Sequence, residues 1–146
     1  MCGIAGITAK NAKEYGDRVK KMTDSLAHRG PDGEGIHAFD NCVLGHRRLS
    51  IVDLKTGDQP MFSENGKLAI VFNGEIYGYK DIKNKEFPDY RFRTTSDTEL
   101  IIAMYEKYGD MAAQHLPGMF AFALWDDRNQ KLFCARDRFG EKPFYY

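Results

Sequence analysis

Neither sign of charge is in excess in this chain: lysine plus arginine and aspartate plus glutamate number 21 each among 146 residues. That balance removes the general electrostatic case for nucleic acid or an anionic membrane surface as a partner. No apolar run approaches the roughly 20 residues of a membrane-spanning helix. The apolar stretch near the start, residues 4–8, is too short for the core of a secretion signal. Cysteine is scarce and odd in number. Cys2, Cys42 and Cys134 lie far apart, which argues against a disulfide framework and a zinc site. A reducing cytoplasm is the expected compartment. Internal repeats, low-complexity tracts and linkers are also lacking, so the chain reads as one domain long enough to bury a core.

The elements present are short strands with a few helices among them. Residues 2–8 read as a buried strand. Residues 11–27 read as an amphipathic helix with Tyr15, Val19, Met22 and Leu26 on one face. Arg29-Gly30-Pro31-Asp32-Gly33 is a turn sequence. Residues 35–39 and 42–45 form a hairpin pattern around Asp40-Asn41, and residues 49–54 read as a further strand. Residues 68–72 make a strong strand, followed by Asn73-Gly74. The best helix covers residues 96–108. Ser96 and Glu99 have the spacing of a capping box, and Gly109 stands where a C-terminal cap belongs. Residues 119–125 and 132–135 read as paired strands. Two helices among many strands imply an α+β layering. The final segment, Lys142-Pro143-Phe144-Tyr145-Tyr146, is apolar and strand-like, whereas domain ends are usually polar; we therefore expect a chain that stops inside a fold.

Cys2 is the most informative residue. Removal of Met1, compatible with the small side chain that follows, would place a thiol and a free α-amine in one residue. This is the N-terminal-nucleophile device. The amine, with an ordinary pKa of about 7.7–8.0, is a suitable base at neutral pH. The competing reading of Cys2 is a small buried strand residue.

Asn73-Gly74-Glu75 also has two readings. Asn-Gly after a strand is a hairpin signal through a type I′ turn. An Asn side-chain N–H beside a Gly backbone N–H is also what an oxyanion hole requires. Of the adjacent Arg47 and Arg48, one reads as a solvated charge and the other as a bidentate fork for a carboxylate. Asp97, in the first turn of the capped helix, either complements the helix dipole or holds an ammonium. A carboxylate fork and an acid for an amine together recognise an α-amino acid. His28 reads as support for the turn, and Cys42 and Cys134 as core residues.

With these residues in view, the chain resembles the glutaminase domain of class II glutamine amidotransferases, specifically of glutamine-hydrolysing asparagine synthetases. The matching blocks begin with Met1-Cys2-Gly3-Ile4-Ala5-Gly6, His28-Arg29-Gly30-Pro31-Asp32-Gly33 and His46-Arg47-Arg48-Leu49-Ser50-Ile51-Val52-Asp53. They continue with Gln59-Pro60-Met61, Phe72-Asn73-Gly74-Glu75-Ile76-Tyr77 and Ser96-Asp97-Thr98-Glu99. The last two are Gly118-Met119-Phe120-Ala121-Phe122-Ala123 and Arg136-Asp137-Arg138-Phe139-Gly140. Together they span residues 1–146 in family order.

The resemblance implies a four-layer αββα sandwich of two antiparallel sheets, the N-terminal-nucleophile hydrolase fold, truncated at its C-terminus. It implies Cys2 as nucleophile, and Asn73 and Gly74 as the oxyanion hole. Arg48, the arginine directly before Leu-Ser-Ile-Val, would bind the glutamine α-carboxylate with backbone groups of Ile51 and Val52. Glu75 and Asp97 would hold the α-amine.

The expected activity is hydrolysis of glutamine to glutamate and ammonia through a thioester, with no metal or cofactor. ATP and Mg are expected only with a separate synthetase domain or partner chain, because nothing here represents a nucleotide loop. The alternative is a non-catalytic, truncated module that binds glutamine or a synthetase partner. A third reading is another class II amidotransferase, feeding ammonia to a sugar phosphate or to purine synthesis.

Overall fold

The structure, a computed structural model, describes residues 1–51, 53 and 55–146. The chain runs β1 (Gly3–Thr8), a 3₁₀ turn (Ala12–Tyr15), α1 (Gly16–Ser25), β2 (Gly33–Ala38), β3 (Cys42–Arg48), β4 (Met61–Phe62), β5 (Leu68–Ile76) and α2 (Tyr79–Glu86). It continues with α3 (Asp97–Tyr108), a second 3₁₀ segment (Gly109–His115), β6 (Gly118–Asp126) and β7 (Lys131–Arg136). One antiparallel sheet has the order β1-β3-β2 and the other β4-β5-β6-β7.

The period-two alternation of β5 explains the layering. Ala69 and Val71 face the first sheet and pack with Cys42, Leu44, Ala123 and Trp125. Ile70, Phe72 and Ile76 face the opposite way, into a core with Leu100, Ile101 and Met104 of α3. A sheet apolar on both faces must be an inner layer. On the outer side of the first sheet, Val43 joins Ala12 and Val19 beneath α1. The order is therefore helix, sheet, sheet, helix, the four-layer αββα sandwich expected. No helix is long and apolar enough to cross a membrane, among the described residues.

Several local expectations need correction. The Asn73-Gly74 pair is not a turn: β5 runs through it, with Asn73 opposite Ala121 and Gly74 opposite Phe120. Glycine is required there by close approach, since a Cβ on Gly74 would lie 2.2 Å from Met119 O and 2.7 Å from Phe120 Cα. The strand expected over 49–54 is not seen: β3 ends at Arg48, and the described residues 49–51 and 53 continue without strand pairing. The first helix begins later and buries Val19 and Thr23, while Met22 is exposed.

Ser96 is the N-cap of α3, and its Oγ accepts from Thr98 N–H at 3.1 Å. The reciprocal half of the capping box does not form. Glu99 instead accepts from the N–H groups of Arg93 and Thr94, at 2.9 and 2.7 Å. Cys42 is buried, but Cys134 is exposed. No strand forms over 142–146, where Tyr145 and Tyr146 are exposed.

Candidate active site

A cavity of about 130 Å³ opens where the ends of β3 and β5 meet the start of β1 and the N-terminus of α3. It has room for about four water molecules at roughly 30 Å³ each. Cys2, Arg48, Ile51, Asn73, Gly74, Glu75 and Asp97 all line it. Seven of the eight residues singled out from the sequence are thus brought together; the eighth, Val52, lies outside the described residues. Cys2 is half-buried at the head of β1. Its Sγ accepts from Leu49 N–H at 3.4 Å, and Arg29 Nε donates to its carbonyl at 3.1 Å. A second cavity of about 440 Å³ lies between the edges of β1 and β7 and shares Cys2 and Asn73 with the first.

Strand pairing determines where the Gly74 N–H points. Phe120, directly opposite, turns both of its backbone groups away from β5: its N–H donates to Asp137 Oδ2 at 3.2 Å, and its carbonyl accepts from Asp137 N–H at 2.8 Å. Gly74 therefore belongs to a pair that exchanges no hydrogen bond with β6, and its N–H is directed to the free edge of β5. Two neighbours on that edge are capped by side chains. Phe72 N–H donates to Gln59 Oε1 at 2.6 Å, and Ile76 N–H donates to Asp97 Oδ2 at 3.0 Å. Between them, the Gly74 N–H has no acceptor among the described residues. The Asn73 side chain is likewise without a hydrogen-bond partner there, although the residue is only 3 % exposed. Two adjacent donors are left open beside a thiol, the arrangement an oxyanion needs.

The two arginines separate by strand parity. Arg47 faces outward to α1, pairing with Asp24 and, at 2.6 Å, with Glu34. Arg48 faces the cavity. Its guanidinium donates to Asp58 Oδ1 at 2.7 Å and to the Asp53 carbonyl. The Asp58 side chain is 87 % exposed, so that ion pair contributes little, and an incoming carboxylate can replace Asp58.

Asp97 is buried, and burial raises its carboxyl pKa. The N–H groups of Ile76, Asp97 and Thr98 oppose that shift, and the nearby Glu75 charge adds to it. Among the described residues no cation lies within ion-pair range of Asp97. An ammonium in the cavity would relieve this.

Sequence reasoning gave no role to several residues that shape the site. His46 is fully buried on β3 and joins the two sheets through Nε2 and Phe72 O, 3.1 Å apart. Burial lowers its pKa to about 4, with the Arg48 charge contributing, so it is neutral at pH 7 and Nε2–H is the donor. Gln59 accepts from the Phe72 N–H, and its Nε2 reaches Thr98 Oγ1 at 3.4 Å. His46 and Gln59 together grip the backbone of Phe72, next to Asn73. Their only signal in the sequence was membership of the matching blocks.

Lys83, buried on α2, donates to the carbonyls of Ser96 and Thr94 at 2.7 and 3.3 Å and fixes the entry to α3. A lysine on so polar a segment gave no sign of burial. Asp53 ties the loop after β3 to the same entry, accepting from Thr56 N–H and Thr95 N–H, each at 2.8 Å. Burial would raise its pKa, but these bonds outweigh burial and bring it to about 2.

The profile of a family described as a glutamine amidotransferase domain matches residues 1–146. The chain is 40% identical over 147 residues to asparagine synthetase [glutamine-hydrolyzing] 3 of Arabidopsis thaliana, covering 99% of this chain and 25% of that protein. It is 41% identical over 151 residues to asparagine synthetase [glutamine-hydrolyzing] 1 of Bacillus subtilis (strain 168), covering 100% of this chain and 24% of that protein. The chain thus spans about a quarter of the length of the curated relatives it matches. Among solved structures, it is similar in fold to the glutamine phosphoribosylpyrophosphate amidotransferase of B. subtilis. The TM-score is 0.75 at 21% identity, covering 96% of this chain and 38% of that one.

Proposed function

The chain belongs to the glutamine amidotransferase domain family, and from that premise we propose that its cavity hydrolyses glutamine to glutamate and ammonia through a thioester on Cys2. The observation that carries this reading is the pair of unpartnered donors, Asn73 and Gly74, beside the thiol, flanked by Arg48 on one side and Asp97 on the other.

The steps follow from the residues. With Met1 removed, the α-amine of Cys2 takes the thiol proton, and the thiolate attacks the side-chain amide carbon of glutamine. The oxyanion that forms accepts from Asn73 Nδ2–H and Gly74 N–H, each such donor contributing about 10²–10³ in rate. The α-ammonium passes its proton to the leaving nitrogen, the C–N bond breaks, and ammonia departs. The same amine then removes a proton from water, which attacks the thioester carbonyl. Collapse of the second tetrahedral species releases glutamate and restores the thiol. Arg48 receives the substrate α-carboxylate, and Asp97 with Glu75 receives its α-ammonium. Neither contact changes during the reaction, so both serve affinity and orientation. None of these steps calls for a metal or cofactor.

In the whole protein, the ammonia would pass to a synthetase domain or partner chain, and ATP and Mg belong to that second part. Amidation of aspartate is the reaction we propose for it, by likeness to the relatives named asparagine synthetases. A glutaminase assay on the Met1-processed chain tests the reading. Wild type should release glutamate, and Cys2→Ala should fold yet release none. Turnover by folded Cys2→Ala would remove Cys2 from the mechanism. Glutamine binding without turnover by wild type would favour a non-catalytic glutamine-binding module.

A further inference from the structure

Lys142 is a buried cation at the site that the proposed reaction leaves unused. It is 8 % exposed and lines the same cavity as Cys2, Asn73 and Asp97. Its backbone is held on both sides: Lys142 N–H donates to Asp137 Oδ2 at 3.0 Å, and its carbonyl accepts from Arg136 Nε at 2.6 Å. Asp137 also accepts from the N–H groups of Phe120, Phe139 and Glu141. Burial would raise the Asp137 pKa, but these backbone donors bring it to about 2, so the carboxylate stays charged and the loop after β7 stays strapped to β6. That loop delivers the Lys142 side chain to the mouth of the site.

The ammonium is poorly matched there. Among the described residues its hydrogen-bond partner is Met1 Sδ, at 3.5 Å, and no carboxylate lies within ion-pair range. A thioether is a weak acceptor, and a buried charge needs a strong one. This acceptor would also leave with Met1. The processed terminus would then offer one new anion in its place, the Cys2 thiolate.

We propose that Lys142 is the positioning cation of the nucleophile: once Met1 is gone, its ammonium favours the Cys2 thiolate. The inference rests on Cys2 being the N-terminal nucleophile. A nearby positive charge favours a thiolate over a thiol. Four other charged groups face Cys2, each from a different element. Arg29, from the turn after α1, donates to the Cys2 carbonyl through Nε, and its Nη2 is buried without a partner among the described residues. Arg48 on β3 pairs with the exposed Asp58. Asp97 on α3 accepts from Ile76 N–H, and Glu75 on β5 is exposed. All of them remain in place when Lys142 alone is changed.

The test is the pH dependence of Cys2 carbamidomethylation by iodoacetamide in the Met1-processed chain, read on the Cys2 peptide by mass spectrometry. Lys142→Met should move the midpoint up by about one pH unit or more, and Lys142→Arg should leave it near the wild-type value. Equal midpoints for wild type and Lys142→Met overturn the proposal. Should Lys142→Met fail to fold, ¹³Cε-lysine NMR of the wild type decides, with the Lys142 resonance assigned through Lys142→Arg. That resonance should move in step with the Cys2 titration, and independence of the two overturns the proposal. A glutamine analogue carrying a diazoketone separates the two levels of the argument. Failure to label Cys2 removes the nucleophile reading itself. Labelling that glutamine blocks, with equal midpoints, removes only the role of Lys142.

Discussion

Acidification from pH 7.5 to 5.0 should remove about 2 kcal/mol of folding stability through His46 alone. The ring is buried between the sheets, and its pKa falls from 6.5 to about 4 in the folded chain. The unfolded chain therefore binds a proton over this interval that the folded chain refuses. Stability from this source is full above about pH 6.5 and is lost as pH falls towards 4. Two-site linkage with those two values gives about 2 kcal/mol at pH 5 and about 3 kcal/mol by pH 4.

Urea unfolding across the range measures the loss. His46→Gln, whose amide can still donate to Phe72 O, should show a profile flatter by that amount. An identical loss in wild type and His46→Gln would refute the reasoning. Ring NMR gives the midpoint directly, and a value near 6.5 would refute the buried, neutral assignment.

Four substitutions probe the site and its surroundings. Asn73→Ala should lower kcat by about 10²–10³ with little change in KM; a change confined to KM would take Asn73 out of the oxyanion hole. Gly74→Ala puts a Cβ 2.2 Å from Met119 O and should destabilise the fold by about 1–3 kcal/mol or more, read as a drop in Tm; an unchanged Tm would contradict the close approach of β5 and β6. Arg48→Ala should raise KM for glutamine, while Arg47→Ala, on the α1 side, should not; the reverse result would exchange their roles.

Both the layering and the site were legible in the sequence to the extent that each residue carried its own signal. The alternation in β5 and the apolar run in α3 reported their own burial, and the sequence-based strands and helix lay close to the observed ones. The Asn73-Gly74 pair misled because local propensity favours a turn, whereas tertiary pairing with β6 draws the strand straight through it. That same pairing opens the Gly74 N–H to the cavity, a feature no local pattern encodes. α2 was missed because Tyr79–Glu86 is polar and has only one buried residue, Lys83. Glu99 left the capping box because Arg93 and Thr94, in the preceding loop, compete for its carboxylate. His46, Gln59 and Lys142 act through contacts with residues 13 to 141 positions away, so their neighbours in the chain gave no indication of them.

Intact-mass measurement of the chain, before and after treatment with a diazoketone analogue of glutamine, tests the central claim most directly. The account predicts loss of Met1 and one adduct, located at Cys2 and blocked by free glutamine. A retained Met1, or a processed chain whose Cys2 remains unmodified, would contradict it.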